Sequence, residues 1–435
     1  MNKKTVKNAA WIIGCKIVQA LLGLAVTMLS ARYLGPSGYG LINYAASIVA
    51  FFVPVMQLGL RATLVQEIIC YPDREGETLG TAISMSTVSA IACVVGIAGL
   101  SALINRGEIE TIVVCVLYSV LLIFQSLEML QFWFQAKLLS KYISVAMLGS
   151  YVIVSAYQII LLIMGSHIFW FAIAQAIDFA IIAAALWFFY HKLGQQRLRF
   201  SWERCKEMFA RSKHYILSGL MITVFAQTDR IMLKMMLDET AVGYYSAAAT
   251  CASMAAFVFV AIIDSMRPTI LEGKKVQESL FQERLKLLYV IVIMLALLQS
   301  VVITLFAKLI VNILYGSEYG PTVNALRIIV WFSTFSYLGS IRDIWILAEG
   351  KQKYLWIINL SGASANVVLN FLMIPLWGIN GASLASLITQ IFTNVLMGYI
   401  LIPIRPNNQL MVASLHPAML RKLIGSILLL LKRSR

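Results

Sequence analysis

Charge is what this sequence has least of. Asp, Glu, Lys and Arg make up 13% of its 435 residues, against about 25% in an average soluble domain. That shortage excludes a cytosolic globular enzyme, which would lack the polar surface to stay in solution. Cysteine is thin and scattered: Cys15, Cys70, Cys93, Cys115, Cys205 and Cys251 show no CxxC spacing, so neither a disulfide framework nor a metal site is indicated. The four histidines form no HExxH, and there is no P-loop, GxGxxG or GxSxG. An ATP-driven pump encoded entirely in this chain is therefore not expected, and no cofactor is implied.

What is present is apolar. Hydrophobic residues reach 60% and the mean hydropathy is +0.82. A helix needs about twenty apolar residues to cross ~30 Å of hydrocarbon, and stretches of that length recur throughout. They predict an all-α polytopic membrane protein with spans at about 9–31, 41–60, 80–104, 109–133, 143–164 and 168–190, and, after a polar interval, at 215–237, 241–263, 286–314, 322–347, 355–376 and 381–404. The first of these follows Lys3, Lys4 and Lys7 but is too long for a signal core and lacks a small-x-small cleavage site. It is read as an uncleaved helix.

The net charge of +15 would suggest nucleic acid in a soluble protein, but here it follows topology. With the N-terminus inside, 27 of the 35 basic residues fall on the inner face, seven of them in the central loop from Lys192 to Lys213. That bias places both termini in the cytoplasm. Trp11, Trp133, Trp187, Trp331 and Trp377 lie near span ends, as an aromatic belt would place them. The stretch 420–431, flanked by Arg421, Lys422, Lys432 and Arg433, reads as an inner-surface amphipathic helix.

The two sets of six spans are weakly self-similar. Gly38-Tyr39 matches Gly243-Tyr244, Arg61 matches Arg267, Gly165 matches Gly378 and Ala172 matches Ala385, in order and at offsets of 205 to 213. The expected organisation is a six-helix bundle over 1–190, a basic linker loop over 191–213, a second bundle over 214–404 and a basic tail over 405–435. A parallel repeat of this kind implies a central cleft between pseudo-symmetric bundles, the place where transporters bind substrate and alternate access.

Charges inside spans are costly, at least ~2.5 kcal/mol each, and usually face an interior or a wet cavity. Gln227, Arg230 and Lys234 are spaced by three and four and share one helical face. With Lys16 in the first span they are candidates for a cationic, substrate-binding cavity. A guanidinium holds phosphate in a bidentate way and stays protonated, which suits a pyrophosphate. Lys234 also lies close enough to the outer end to snorkel. Asp178, near the centre of the sixth span, and Asp229 are candidates for ion coupling or for neutralising Arg230. Arg61 and Arg267 are candidates for the cytoplasmic mouth, where ordinary positive-inside anchoring competes as an explanation. Arg342 and Asp343 form an inner-end pair that an interfacial position would explain.

Four segments carry a family resemblance: Ala31-Arg32-Tyr33-Leu34-Gly35-Pro36-Ser37-Gly38-Tyr39-Gly40, Gln227-Thr228-Asp229-Arg230, Leu314-Tyr315-Gly316-Ser317-Glu318-Tyr319 and Pro375-Leu376-Trp377-Gly378-Ile379-Asn380-Gly381-Ala382. Through the twelfth span the chain resembles the Wzx-type O-antigen and repeat-unit flippases of the multidrug/oligosaccharidyl-lipid/polysaccharide exporter superfamily. The resemblance implies movement of undecaprenyl-pyrophosphate-linked oligosaccharide (O-antigen, capsule or exopolysaccharide) to the outer leaflet of a bacterial cytoplasmic membrane. It also implies a cationic lumen, alternating access, coupling to an ion gradient and dealings with membrane lipid and a polysaccharide polymerase, with no nucleic acid. Fourteen-helix relatives have a longer tail, so only the twelve-helix core carries over. The rival within the superfamily is a cation-coupled multidrug antiporter, which would place acidic groups where this chain has Lys16. A glycan polymerase or ligase would need a sizeable outer loop, and the predicted outer connections are short.

Overall fold

The computed structural model describes residues 3–194 and 196–417, with side chains from residue 18 onward other than 20, 21 and 195. Lys16 and Trp11 lie outside the described side chains, and the 420–431 segment lies outside the described residues altogether. Every regular element is helical: α1 Lys3–Met56, α2 Leu64–Cys70, α3 Glu75–Ile104, α4 Ile109–Ser119, α5 Leu121–Leu127, α6 Leu130–Ala136, α7 Ser140–Met164, α8 Ile168–Leu193 and α9 Trp202–Met236, followed by α10 Glu239–Ser253, α11 Ala256–Val276, α12 Glu278–Leu314, α13 Thr322–Ala348, α14 Leu355–Ile391, α15 Met397–Ile400 and α16 Arg405–Ser414. Among the described residues eight helical runs are long and apolar enough to cross a membrane, or nine with the bent pair α10 and α11.

Two of these runs are broken by glycine. In α1, Gly35 adopts φ 66° and ψ 177°, a region essentially closed to residues with a Cβ. Pro36 follows, whose missing N–H suits the first position of a new helix. In α14, Gly378 at φ 55° and ψ −130° makes the corresponding break, and Gly165, its partner in the sequence repeat, is likewise left-handed at φ 66°. The breaks fall at 35 and 378, between predicted spans, and the helix kinks at each.

Contacts divide the chain into two compact units, Met1–Lys234 and Met235–Arg435. The first unit has a core of Leu60, Leu64, Leu79, Leu130, Phe134 and Leu186 with their neighbours. Trp133 belongs to it: the ring is 3% exposed and packs edge-on against Phe134 and Tyr190 at 5.0 and 5.1 Å. The expected aromatic-belt role is therefore wrong for Trp133, because it lies on the face that α6 turns toward α8. The second unit is built around Phe281, Leu285, Leu288, Tyr289, Ile341 and Ile344, with Phe259 stacked on Tyr337 at 4.0 Å. Val88, Val95, Ile163 and Leu305 are exposed, as expected where hydrocarbon is the solvent and outward apolar side chains cost nothing.

Among the described residues of the interval 191–213 only 194 and 196–201 are non-helical, and 196–201 is bound along α3 and the turn before it. Gln196 donates to the Pro72 carbonyl and accepts from the Gly76 N–H, both at 2.9 Å. The Arg199 N–H donates to the Gly76 carbonyl and the Ser201 N–H to Thr81 Oγ1. Its backbone groups thus find partners on α3 rather than in water alone. α9 then runs for 35 residues, or ~52 Å at 1.5 Å each, longer than the hydrocarbon is thick.

Candidate functional site

α9 carries most of the predicted site, and polar contacts tie it to the first unit along its length. At its beginning Glu67, 5% exposed, pairs with Arg204 at 3.3 Å and Arg211 at 2.6 Å. Arg204 also donates to Glu207 and Thr78, each at 2.9 Å, and lies 4.9 Å from the Tyr71 ring. Ser212 donates to the Leu58 carbonyl at 2.8 Å. At the far end Lys234 is buried and its Nζ lies 2.8 Å from Glu108; Thr111 donates to the same Glu108 oxygen. Lys234 is thus drawn inward to a carboxylate on the α3–α4 turn, whereas snorkelling would have left its ammonium in solvent. α9 is the least buried of the eight candidate spans, with 17% of its most apolar window buried, and these charge pairs join it to the rest of the first unit.

Between those ends stands the Gln227 and Arg230 face. Arg230 Nη1 donates to Gln227 Oε1 at 2.9 Å. Ser47 Oγ of α1 lies 3.1 Å from the same oxygen and 2.8 Å from the Asn43 carbonyl. A hydroxyl has one proton, so Ser47 serves these acceptors alternately. Gln227 and Arg230 thus meet on α9, with Gln227 bridging to α1, while Lys234 reaches Glu108. Asp229, the neighbouring acid, is buried.

Asn43 leads on to a cavity of ≈ 220 Å³ inside the first unit, bounded by α1, α4, α7 and α8. Asp178 lines it and accepts from Ser150 Oγ at 2.5 Å. Gln158, Gln175, Tyr118 and Tyr151 complete its polar wall. A search restricted to charges passes over these residues, although Tyr151, Ser155 and Gln158 recur at the four-then-three spacing of one helical face.

The remaining candidates are dispersed. Arg61 is exposed, and Arg267 stands 3.9 Å from Asp264 with nearly half its side chain in solvent. Arg342 is 5% exposed, so it is not the simple interfacial partner that its position suggested. It donates to Asp343 at 3.1 Å, to the Thr393 carbonyl at 2.8 Å and to Asn394 Oδ1 at 3.0 Å. The backbone is a π-helix over Phe392–Leu396, a turn type that disturbs the helical ladder. The guanidinium there serves a carbonyl within that turn.

A family model described as "Polysaccharide biosynthesis protein" matches residues 5–274, more than half of the chain. The capsular polysaccharide biosynthesis protein CapF of Staphylococcus aureus is 22% identical over 393 residues, covering 88% of this chain and 96% of CapF. The structure is similar to that of lipid II flippase MurJ in an inward closed conformation, with a TM-score of 0.74 at 15% identity over 93% of this chain and 91% of MurJ. An inward-facing MATE family multidrug resistance transporter gives a TM-score of 0.64 at 14% identity over 91% and 95%. With the fold shared by MurJ and MATE and a family match running from the first turn of α1 to the last turn of α11, this multi-pass membrane protein belongs to the polysaccharide biosynthesis protein family.

Proposed function

We propose that the chain is a flippase that carries undecaprenyl-pyrophosphate-linked oligosaccharide from the cytoplasmic to the outer leaflet of a bacterial inner membrane, by alternating access coupled to an ion gradient. The observation that carries this reading is the family match over 5–274 in a chain that has the MurJ-like fold. CapF is named for capsule biosynthesis and MurJ for lipid II; the proposal for this chain is the chemistry common to a polyprenyl pyrophosphate bearing sugars. The proposal retains twelve crossings with both ends inside and bundles over 1–190 and 214–404. It also retains Lys16, Arg230, Gln227 and Lys234 as the cationic substrate face, Asp178 and Asp229 as charge-balancing groups, and Arg61 and Arg267 at the inner mouth. Arg230 and Lys16 lead that face, the guanidinium because it can hold phosphate in a bidentate way. A polysaccharide polymerase is the proposed downstream partner.

The test is the lipid extract of a deletion strain. Undecaprenyl-linked oligosaccharide accumulating on the cytoplasmic side supports the proposal, and complementation should fail with Arg230→Gln but partly succeed with Arg230→Lys. Full export by stably inserted Arg230→Gln would remove Arg230 from the site. A cation-coupled multidrug antiporter is the second reading, favoured by the MATE-like fold and by Asp178 inside the first unit. Unchanged glycolipid with greater drug sensitivity in the deletion strain would select it.

A further inference from the structure

The cavity inside the first unit has a composition that the phosphate-binding face of α9 does not explain. Among its described lining residues the only charged group is Asp178; the rest of the polar wall is amide, from Asn43, Gln158 and Gln175, with tyrosine phenols and serine and threonine hydroxyls. Among the described lining residues no cation faces Asp178, so nothing there favours a pyrophosphate. The volume is ≈ 220 Å³. That is below the ~300 Å³ where pockets for drug-sized ligands begin.

The wall also asks for a ligand that can both donate and accept. Amides offer two donors and an acceptor, phenols one donor that also accepts, and an ionised carboxylate accepts only. Ser30 Oγ lines the same cavity, is nine-tenths buried and has no hydrogen-bond partner. Polar groups gathered at membrane depth are expensive unless something satisfies them. A small, neutral, polyhydroxylated ring meets every one of these demands: its hydroxyls donate to Asp178 and Ser30, accept from Gln158 and Gln175, and its C–H face lies against tyrosine rings.

We propose that this cavity of the first unit binds one uncharged sugar residue, a hexopyranose or its N-acetylated or deoxy form, and so reads the glycan apart from the pyrophosphate. The proposal rests on the flippase reading for its biological meaning, but the binding itself can be measured without transport. The Asn43 and Ser47 carbonyl and hydroxyl contacts run from this wall to Gln227 and Arg230. A sugar seated here is therefore one short hydrogen-bond chain away from the residue proposed to hold phosphate.

The experiment is saturation-transfer NMR on the full-length protein in lipid nanodiscs, with millimolar methyl glycosides of neutral hexoses, 6-deoxyhexoses and N-acetylhexosamines. The expected result is transfer to ring protons of at least one glycoside, reduced at least tenfold in Gln158→Leu and in Gln175→Leu, with melting temperature and circular dichroism like those of the parent. No transfer from any member of the panel overturns the proposal. So does transfer that neither glutamine variant diminishes, which would mean binding elsewhere. A third contrary outcome is binding of tetraphenylphosphonium or sodium that Asp178→Asn abolishes and the glutamine variants leave intact, which would make the cavity a cation site. The two readings separate cleanly. Normal glycan export by a Gln175→Leu variant that has lost sugar binding would overturn the sugar site alone, whereas normal export in the deletion strain would overturn the flippase reading while leaving the NMR result standing.

Discussion

Replacing Glu67 with glutamine should release the 194–212 segment. Glu67 is 5% exposed and holds Arg204, whose side chain is 4% exposed, and Arg211, half exposed at 51%. Removing one partner of a buried pair costs about 3–5 kcal/mol, because the other charge stays buried without compensation. Arg204 keeps Glu207 and Thr78 at 2.9 Å, which puts the cost near the lower end, about 3 kcal/mol. The exposed Arg211 pair adds little, being screened by solvent. At 1.4 kcal/mol per factor of ten, opening should become on the order of a hundredfold more frequent. Hydrogen exchange with mass spectrometry, on protein in nanodiscs, reads this directly from peptides covering 194–212, where the Arg199 N–H is bonded to the Gly76 carbonyl. Two controls set the scale. Glu207→Gln should change exchange little, since Glu207 is 43% exposed. Glu67→Leu combined with Arg204→Leu should recover much of the protection, because a buried ion pair replaced by apolar groups of similar volume is often neutral. Unchanged exchange in Glu67→Gln, or equal loosening by Glu207→Gln, would refute the idea that buried charge pairing holds the start of α9.

Gly35→Ala should lower the melting temperature, at about 1–3 kcal/mol for a Cβ forced into that backbone conformation, and a scanning calorimeter or fluorescence melt will show it. A Gly149→Ala control, where an added Cβ meets nothing within 4 Å, should melt like the parent. Arg342→Met should destabilise the second unit by about 2 kcal/mol, since the Thr393 carbonyl and Asn394 lose a charged donor; Arg342→Lys should recover part of the loss, and an unaltered melt for Arg342→Met would refute a structural role.

The class of protein was legible in the residues. Scarce charge and recurrent apolar runs admit only a helical membrane chain, because lipid leaves no other partner for backbone groups. The breaks at Gly35 and Gly378 fall in the gaps left between predicted spans, Gly35 directly before Pro36 and Gly378 three residues after Pro375. The face shared by Gln227, Arg230 and Lys234 followed from helical spacing alone. The partners of those residues were not local. Glu108 lies 126 positions before Lys234, and Glu67 lies 137 before Arg204; periodicity along one helix says nothing of what another helix brings opposite it.

The same limit hid the cavity. Gln158 and Gln175 are uncharged, so neither stood out against apolar surroundings, and they become one wall only where α7 and α8 pack together. It also left the linker misread in character: its seven basic residues said which side of the membrane it faces, while its docking on α3 needed Gln196, Gly76 and Thr81 to meet. What the sequence determined by itself was a matter of solvent, the sorting of apolar and basic residues between hydrocarbon and water. Which charge neutralises which, and which polar side chains enclose a space, was decided by the tertiary structure, because those interactions depend on distances of a few ångströms between segments more than a hundred residues apart.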